Sequence, residues 1–388
     1  MNNNLLQKNL SGWRIILAIA IGFGITTYMV YSSLQNTSFV EVEPGQGSYI
    51  WHDGNQNGII DLTDESDFSP SKKGNYQLET VGSLIKSLSW GGQTFLFLGL
   101  AMVFMVGRDL FYIIRLRLLI KNKLSFKRSA IVILLWEFAS ALSPGVVGGA
   151  AVAMFILQKE KIALGKATAV VVITAFLDNL FYLIMIPFVF FFISQENLFP
   201  SNIGDAGSVQ AVFWTGFAVI FIVCAILFSS LFIFPRLIKK IFAVLFSLPF
   251  LKKWKAEAKQ TGDDVAIASI AFRKENYMFW LKAFAATVGS WMSRYLVINA
   301  ILQAFISLTF IEHILLLGKQ LVLWLFMLIS PTPGASGVAE YAFGELLAGF
   351  TGSALLIVSL AVIWRLISYF PYLLIGFVLL PRWVRNKK

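Results

Sequence analysis

Two long apolar segments of this chain are each broken near the middle by a proline–glycine run. The first, Ile131 to Leu157, contains SPGVVGG at 143–149; the second, Ile314 to Phe350, contains SPTPGASG at 330–337. Proline removes a backbone donor and glycine disfavours the helix, so each run interrupts it. Irregular backbone is admitted to a bilayer only where protein or a water-filled cavity covers it. A bilayer is what the composition demands. Hydrophobic residues make up 57% of the chain and charged residues only 14%, against about 25% charged in soluble domains. A soluble enzyme and a disordered chain are both excluded.

The other apolar runs read as six full spans: Trp13–Leu34, Gly91–Gly107, Ala167–Ile193, Ala211–Phe234, Ala283–Leu308 and Ser353–Leu380. The first follows Lys8 and Arg14 and lacks a small-residue cleavage site, so residues 1–34 read as a retained signal anchor. Residues 35–90 carry eight acidic residues against Lys72, Lys73 and Lys86, which places them outside the cytoplasm. RDLFYIIRLRLLIKNKLSFKR, from Arg108 to Arg128, reads as a cytoplasmic interfacial helix. Residues 235–282, with ten bases against four acids, form the clearest cytoplasmic loop. Lys159, Lys161 and Lys166 follow the first broken segment, so a re-entrant hairpin keeps both its ends in the cytoplasm. The second broken segment has nearly chargeless flanks and suits a hairpin opened from outside.

The expected fold is therefore an all-α integral membrane protein: a polytopic helical bundle of six full spans and two re-entrant hairpins, residues 91–388 forming the main domain. Both termini lie in the cytoplasm, in a multi-pass protein of the cytoplasmic membrane. The net charge of +11 comes from Lys and Arg flanking apolar spans. They do not form one basic face, so nucleic acid is not an expected partner. The single cysteine, Cys224, lies in an apolar run and forms no internal disulfide.

The two breaks resemble each other. Trp136 precedes Ser143-Pro144-Gly145, and Trp324 precedes Ser330-Pro331. Each break is followed by a long span with an internal charge, Asp178 after the first and Arg365 after the second. Opposite orientations make this an inverted repeat, the plan of transporters whose substrate site lies between broken helices. The alternative is a chance likeness of two kinks.

ALSPGVVGGAAVAMFILQKEKIALGKATAVVVITAFLD, with the basic stretch before it, and SPTPGASGVAEYAFGELL followed by WRLISYFPYLLIG carry a further resemblance. Over roughly residues 90–388 the chain is similar to the lysyl-phosphatidylglycerol synthase transmembrane family. That flippase-like family is found as the lipid-flipping half of those synthases and as stand-alone proteins. The resemblance implies lipid translocation, with a separate lipid-modifying enzyme as a possible partner. No aminoacyl-transferase domain follows the last span, so lipid aminoacylation is not implied. Glu340 and Arg365 match the family pattern. After the first GG, where the family often has an acidic residue and an arginine, this chain has Ala150, Ala151, Val152 and Ala153. Thr174 or a neighbour stands where the family often has an acidic residue shortly before the Asp178 position.

Five charges fall within spans or hairpins: Glu137, Asp178, Arg294, Glu340 and Arg365. Each costs at least about 2.5–3.5 kcal/mol at the bilayer centre unless paired or wet. They either pair to fix helix positions or line a cavity in which the arginines hold a lipid phosphate. A guanidinium suits that role because its fork of donors matches phosphate oxygens. The breaks (Ser143, Pro144, Gly145, Gly148 and Gly149; Pro331, Pro333, Gly334 and Gly337) would add half-helix N-termini and bare N–H groups. Close helix packing through small residues is the alternative for the glycines. The expected substrate is an anionic lipid.

The external loop reads DGNQNGIIDLTD from Asp53 to Asp64. Asp53, Asn55, Asn57, the Ile59 carbonyl, Asp61 and Asp64 fall at calcium-loop positions 1, 3, 5, 7, 9 and 12, with Gly58 at position 6. It is most like dockerin-type loops, with a structural Ca2+ as the expected ligand and an Asn/Gly-rich turn as the alternative. His52 and His313 are the only histidines, too few for a zinc or proton-relay cluster. No P-loop and no Ser-His-Asp arrangement is present, so no enzymatic activity is expected.

Overall fold

The computed structural model describes residues 38–385 apart from 55, 57, 59, 63, 144, 200–205, 235–243 and 245–254, together with positions 20, 24, 27, 28 and 31. The expected first span, Trp13–Leu34, therefore lies outside the described residues except at those isolated positions.

The chain is mostly helical, as expected of a polytopic helical membrane protein, and a small sheet adds to the helices. Residues 38–79 form a four-stranded antiparallel sheet of order β1-β4-β2-β3, from β1 (Ser38–Glu41), β2 (Gly47–Trp51), β3 (Phe68–Gly74) and β4 (Tyr76–Glu79). Short runs of β-branched and aromatic residues set between Gly and Pro made these strands legible in principle. Phe39 stacks on Phe68 at 4.0 Å, with Tyr76 edge-on to Phe68, forming a small core. The sheet is fastened to the helices by Glu79. Its buried carboxylate accepts hydrogen bonds from Ser353 Oγ and, at 3.3 Å, from the Leu355 N–H.

The helices are α1 (Val81–Ser87), α2 (Gly92–Leu119), α3 (Phe126–Leu142), α4 (Gly145–Lys159), α5 (Leu164–Phe192), α6 (Gln195–Leu198), α7 (Ala206–Phe228), α8 (Lys255–Arg273), α9 (Tyr277–Gln303), α10 (Phe310–Ile329), α11 (Val338–Leu347), α12 (Ala354–Ser368) and α13 (Phe370–Arg385). Their starts carry local signals. Thr80 and Thr309 close capping boxes, and Ser125 and Asn276 cap α3 and α9 through their side chains.

Five stretches are long and apolar enough to cross a membrane among the described residues: α2, α5, Val209–Ile233, α10, and Ala354–Arg385, which takes in α12 and α13. Three boundaries differ from the sequence reading. The second span does not end at Gly107, because α2 runs on to Leu119 and buries Arg108 and Arg115. The expected fifth span, Ala283–Leu308, lies within α9 and the residues after it. That helix is long but too polar to count, with Lys282, Arg294 and Asn299 along it. The expected sixth span is bent at Tyr369 (φ −122°, ψ −59°), where α12 ends and α13 begins.

Both broken segments fold back on themselves. α3 packs against α4, and α10 against α11. In the first hairpin Gly149 lies so close to Ser140 that a Cβ there would sit 2.2 Å from Ser140 Oγ. In the second, buried Lys319 donates to the Leu346 carbonyl at 2.8 Å, tying early α10 to the end of α11. A cation at a helix C-terminus is favoured by the dipole. α10 alone is about 30 Å long and α11 about 15 Å at 1.5 Å per residue, so the second hairpin has unequal arms. Two apolar cores result. One gathers residues from α5, α7 and α9–α12; the other gathers α2, α3, α4, α8 and the first half of α5.

Candidate functional site

A cavity of about 350 Å³ is lined from both broken segments and from α2, α5, α9, α12 and α13. Arg108, Arg115, Arg294, Arg365, Glu137 and Asp178 line it, with Trp136, Trp291, Trp324, Trp364 and three tyrosines. Of the five charges expected at membrane depth, four line this one space. The fifth, Glu340, is paired with Arg365 at its edge.

Arg365 is 2% exposed, in the last turn of α12. Its Nε lies 2.8 Å from Glu340 Oε1, and its Nη1 donates to the Gly334 carbonyl at 3.1 Å. Its Nη2 has no hydrogen-bond partner among the described residues. The break positions Glu340. Gly334, Ala335 and Gly337 adopt positive φ, which turns the chain so that α11 starts with Glu340 in its first turn. Glu340 Oε2 then accepts the Gly337 N–H at 2.7 Å, as a capping carboxylate should. Gly334 cannot be replaced cheaply. Its φ is +59° and a Cβ would meet the Tyr369 ring at 2.2 Å.

Arg115 donates to Asp178 Oδ1 at 2.6 Å and to Thr287 at 3.0 Å, while Trp291 Nε1 donates to the same Oδ1 at 2.8 Å. Arg108 pairs with Glu137 and Asp109 and donates to Tyr372 Oη at 2.7 Å. Tyr372 in turn donates to Asp109. Arg294 has no ion pair or hydrogen bond among the described residues. Its guanidinium lies over the Trp291 ring at 5.4 Å.

Arg108 and Arg115 lie in α2 and not in the expected interfacial helix. Both are nearly fully buried. The missed signal was spacing: Arg108, Tyr112 and Arg115 fall at i, i+4 and i+7, one helix face, and Tyr112 lies beneath both guanidinium groups at 5.0 and 4.8 Å. Asp109, Tyr372 and the tryptophans belong to the site as well, and of these only Trp136 and Trp324 carry a sequence signal, their place before the two breaks.

The remaining residues of the two breaks are less central. Ser143 lines the cavity. Gly145 and Gly148 lie in the first turn of α4, Gly149 packs on Ser140, and Pro144 is outside the described residues. Pro331 is exposed and Pro333 half-buried in the second break. Ala150 and Thr174 also line the cavity.

In the loop between β2 and β3, Asp53 Oδ2 accepts the Gly58 N–H at 2.9 Å, and Asp64 caps the turn at Glu65–Asp67. Gly58 has φ +69°, as position 6 requires. Asn55, Asn57 and Ile59 lie outside the described residues. Among the described residues no group of three His, Cys, Asp or Glu side chains is placed to hold a metal.

Broken helices converging on a buried cavity of arginines, carboxylates and aromatic rings define a class: a helical membrane protein with an internal polar site. More narrowly, the chain belongs to the lysylphosphatidylglycerol synthase TM region family, which matches residues 74–376. It is also 24% identical over 305 residues, 77% of this chain and 88% of the relative, to a UPF0104 membrane protein of Archaeoglobus fulgidus. No solved structure matches it.

Proposed function

We propose that this protein carries an anionic, phosphate-bearing lipid between the leaflets of the cytoplasmic membrane, holding the headgroup in the cavity. The observation that carries this is the state of two arginines. Arg294 has no acidic partner among the described residues, and Arg365 keeps Nη2 unpartnered though buried. A guanidinium with donors to spare in a low-dielectric site is a receptor for an oxyanion. A quaternary ammonium would seek free aromatic faces, yet Tyr112, Tyr372, Trp291, Trp364 and Tyr369 already lie against the protein's own arginines. The volume is near the lower end of small-ligand pockets, about 300–1,000 Å³, room for a headgroup with its acyl chains outside. The family's link to lipid synthases supports the same reading, with a separate headgroup-modifying enzyme as the source of substrate.

Leaflet-resolved assays with labelled phosphatidylglycerol in proteoliposomes test it. Transport moves the lipid unchanged. A changed headgroup would make the protein an enzyme, and neither movement nor change would make it an assembly subunit, the role the uncharged Ala150, Ala151, Val152 and Ala153 would suit.

Orientation has its own test. In a Cys224→Ala background, Lys161→Cys lies at the open end of the first hairpin. An impermeant maleimide is expected to label it in inside-out vesicles and not in right-side-out ones. The reverse pattern would turn the hairpin into a crossing and invert everything after it.

The external loop is proposed to take Ca2+ on Asp53, Asn55, Asn57, the Ile59 carbonyl, Asp61 and Asp64, with dissociation constants of about 10⁻⁴–10⁻³ M, as in extracellular modules. Millimolar calcium should then slow proteolysis within residues 50–68, and Asp53→Ala should remove the protection. Equal cleavage in calcium and in chelator would leave an Asn/Gly turn.

A further inference from the structure

The charges around the cavity are balanced in number and uneven in place. Arg115 with Asp178 and Arg365 with Glu340 are one-to-one pairs. Arg294 faces no carboxylate at ion-pair distance among the described residues. Arg108 is the reverse case: it serves both Glu137 and Asp109, the latter at 3.4 Å. With all groups in their ordinary ionised forms the cluster is neutral. Its positive excess sits at Arg294 and its negative excess at Asp109 and Glu137. The unpartnered Nη2 of Arg365, 2% exposed and on the same cavity, is an independent sign that an anion completes the site.

A phosphodiester headgroup brings one negative charge. Once it lies against Arg294 and Arg365, nothing on the wall compensates the surplus carboxylate beside Arg108. In a medium less polar than water that imbalance is far more costly than in bulk. It is relieved most easily where two carboxylates already compete for one guanidinium, because like charges favour protonation of one of them. Neither side chain is fully buried, at 19% and 21% exposed, and Glu137 lines the cavity itself. Beside the pair and Arg108 lie Tyr372 on α13 and Tyr112 on α2, and the rest of the cavity wall carries Arg115 on α2, Asp178 on α5, Arg294 on α9, Arg365 on α12 and Tyr369 on α13. α4 presents Ala150 there.

We propose that Asp109 and Glu137 form a proton-binding site, and that lipid anion and proton occupy the cavity together, one for one. The proton comes from water on the side to which the cavity is open. It is held as an O–H on one carboxylate of the pair and leaves with the headgroup. No other bond changes. Lipid movement would thus be driven by a proton gradient. This rests on the lipid-carrier reading above.

The test is calorimetric. Dihexanoyl phosphatidylglycerol, a phosphodiester that does not titrate near neutral pH, is bound to the detergent-solubilised full chain in buffers of different ionisation enthalpy. The wild type is expected to take up about one proton per lipid bound, the coupling of binding to protonation that linkage requires. Asp109→Asn, which keeps an acceptor for Tyr372, and Glu137→Gln should each bring that number close to zero. Because the count is per bound lipid, a variant that folds less well still reports. Lipid binding with no proton uptake by the wild type would overturn the coupling and leave the carrier reading standing. No binding at all would remove the carrier reading, and the coupling with it. In proteoliposomes the same idea predicts that an imposed pH gradient accelerates wild-type lipid movement and not that of Asp109→Asn.

Discussion

Arg365→Lys is expected to slow lipid translocation by about tenfold to a hundredfold, while Arg365→Ala abolishes it. The guanidinium meets Glu340 as an ion pair at 2.8 Å through Nε and donates Nη1 to the Gly334 carbonyl, leaving Nη2 for a phosphate oxygen. An ammonium can keep the ion pair but cannot span all three directions. A hydrogen bond to a charged group is worth about 1.5–3 kcal/mol, which is about tenfold to a hundredfold in rate or affinity. Alanine does something further. It strands Glu340, 3% exposed, with only the Gly337 N–H at 2.7 Å to hold its charge. Breaking a buried pair from one side costs about 3–5 kcal/mol, so Arg365→Ala should also melt at a lower temperature. Arg365→Ala combined with Glu340→Gln should recover the stability and not the transport. That pattern separates a substrate contact from a strut. If the lysine variant moves labelled phosphatidylglycerol at the wild-type rate, Arg365 holds the hairpin tip against α12 and nothing more.

The second hairpin shows what a sequence can disclose. Pro331, Pro333, Gly334 and Gly337 are residues whose backbone chemistry is local, so the break was legible, and so was a carboxylate at the start of the half-helix after it. Charges at membrane depth were legible for a different reason: each is costly there, so Glu137, Asp178, Arg294, Glu340 and Arg365 stood out against apolar neighbours. Arg108 and Arg115 did not. They lie next to Arg117, Lys121 and Lys123, and a run of bases hides which of them face inward. Only their shared helix face set them apart, and their partners, Glu137 and Asp178, come from 29 and 63 residues away. The sheet at 38–79 was obscured by a similar competition. Its strands span four to seven residues, and the calcium-loop spacing between β2 and β3 drew attention to one connection. The bend at Tyr369 has a local cause in Pro371, which cannot return a hydrogen bond to the Ile367 carbonyl and so ends α12 at Ser368. Tyr369 Oη also reaches the Ala141 carbonyl at 3.4 Å, a contact no local pattern encodes.

Arg294 and Arg115 make the sharpest contrast, because they share an environment and differ in partners. Arg115 is 3% exposed and committed: Asp178 and Thr287 take its donors, and its plane lies over Tyr112. Arg294 is half-buried and rests on Trp291 alone among the described residues. Arg115→Ala leaves Asp178 with a single indole donor and should destabilise the protein by about 3–5 kcal/mol. Arg294→Ala orphans no carboxylate. It forfeits only the cation–π contact, about 0.5–1 kcal/mol, and removes the positive excess against which an anion settles. Thermal unfolding in detergent is therefore expected to fall steeply for Arg115→Ala and barely for Arg294→Ala. Labelled-lipid translocation, corrected for the amount of folded protein in the vesicles, should vanish for Arg294→Ala. Dihexanoyl phosphatidylglycerol binding should weaken by at least about tenfold, the lower bound for one lost charged hydrogen bond. A steep melting loss for Arg294→Ala would mean that the residue has a structural partner, and unchanged lipid binding would move the phosphate away from this part of the cavity.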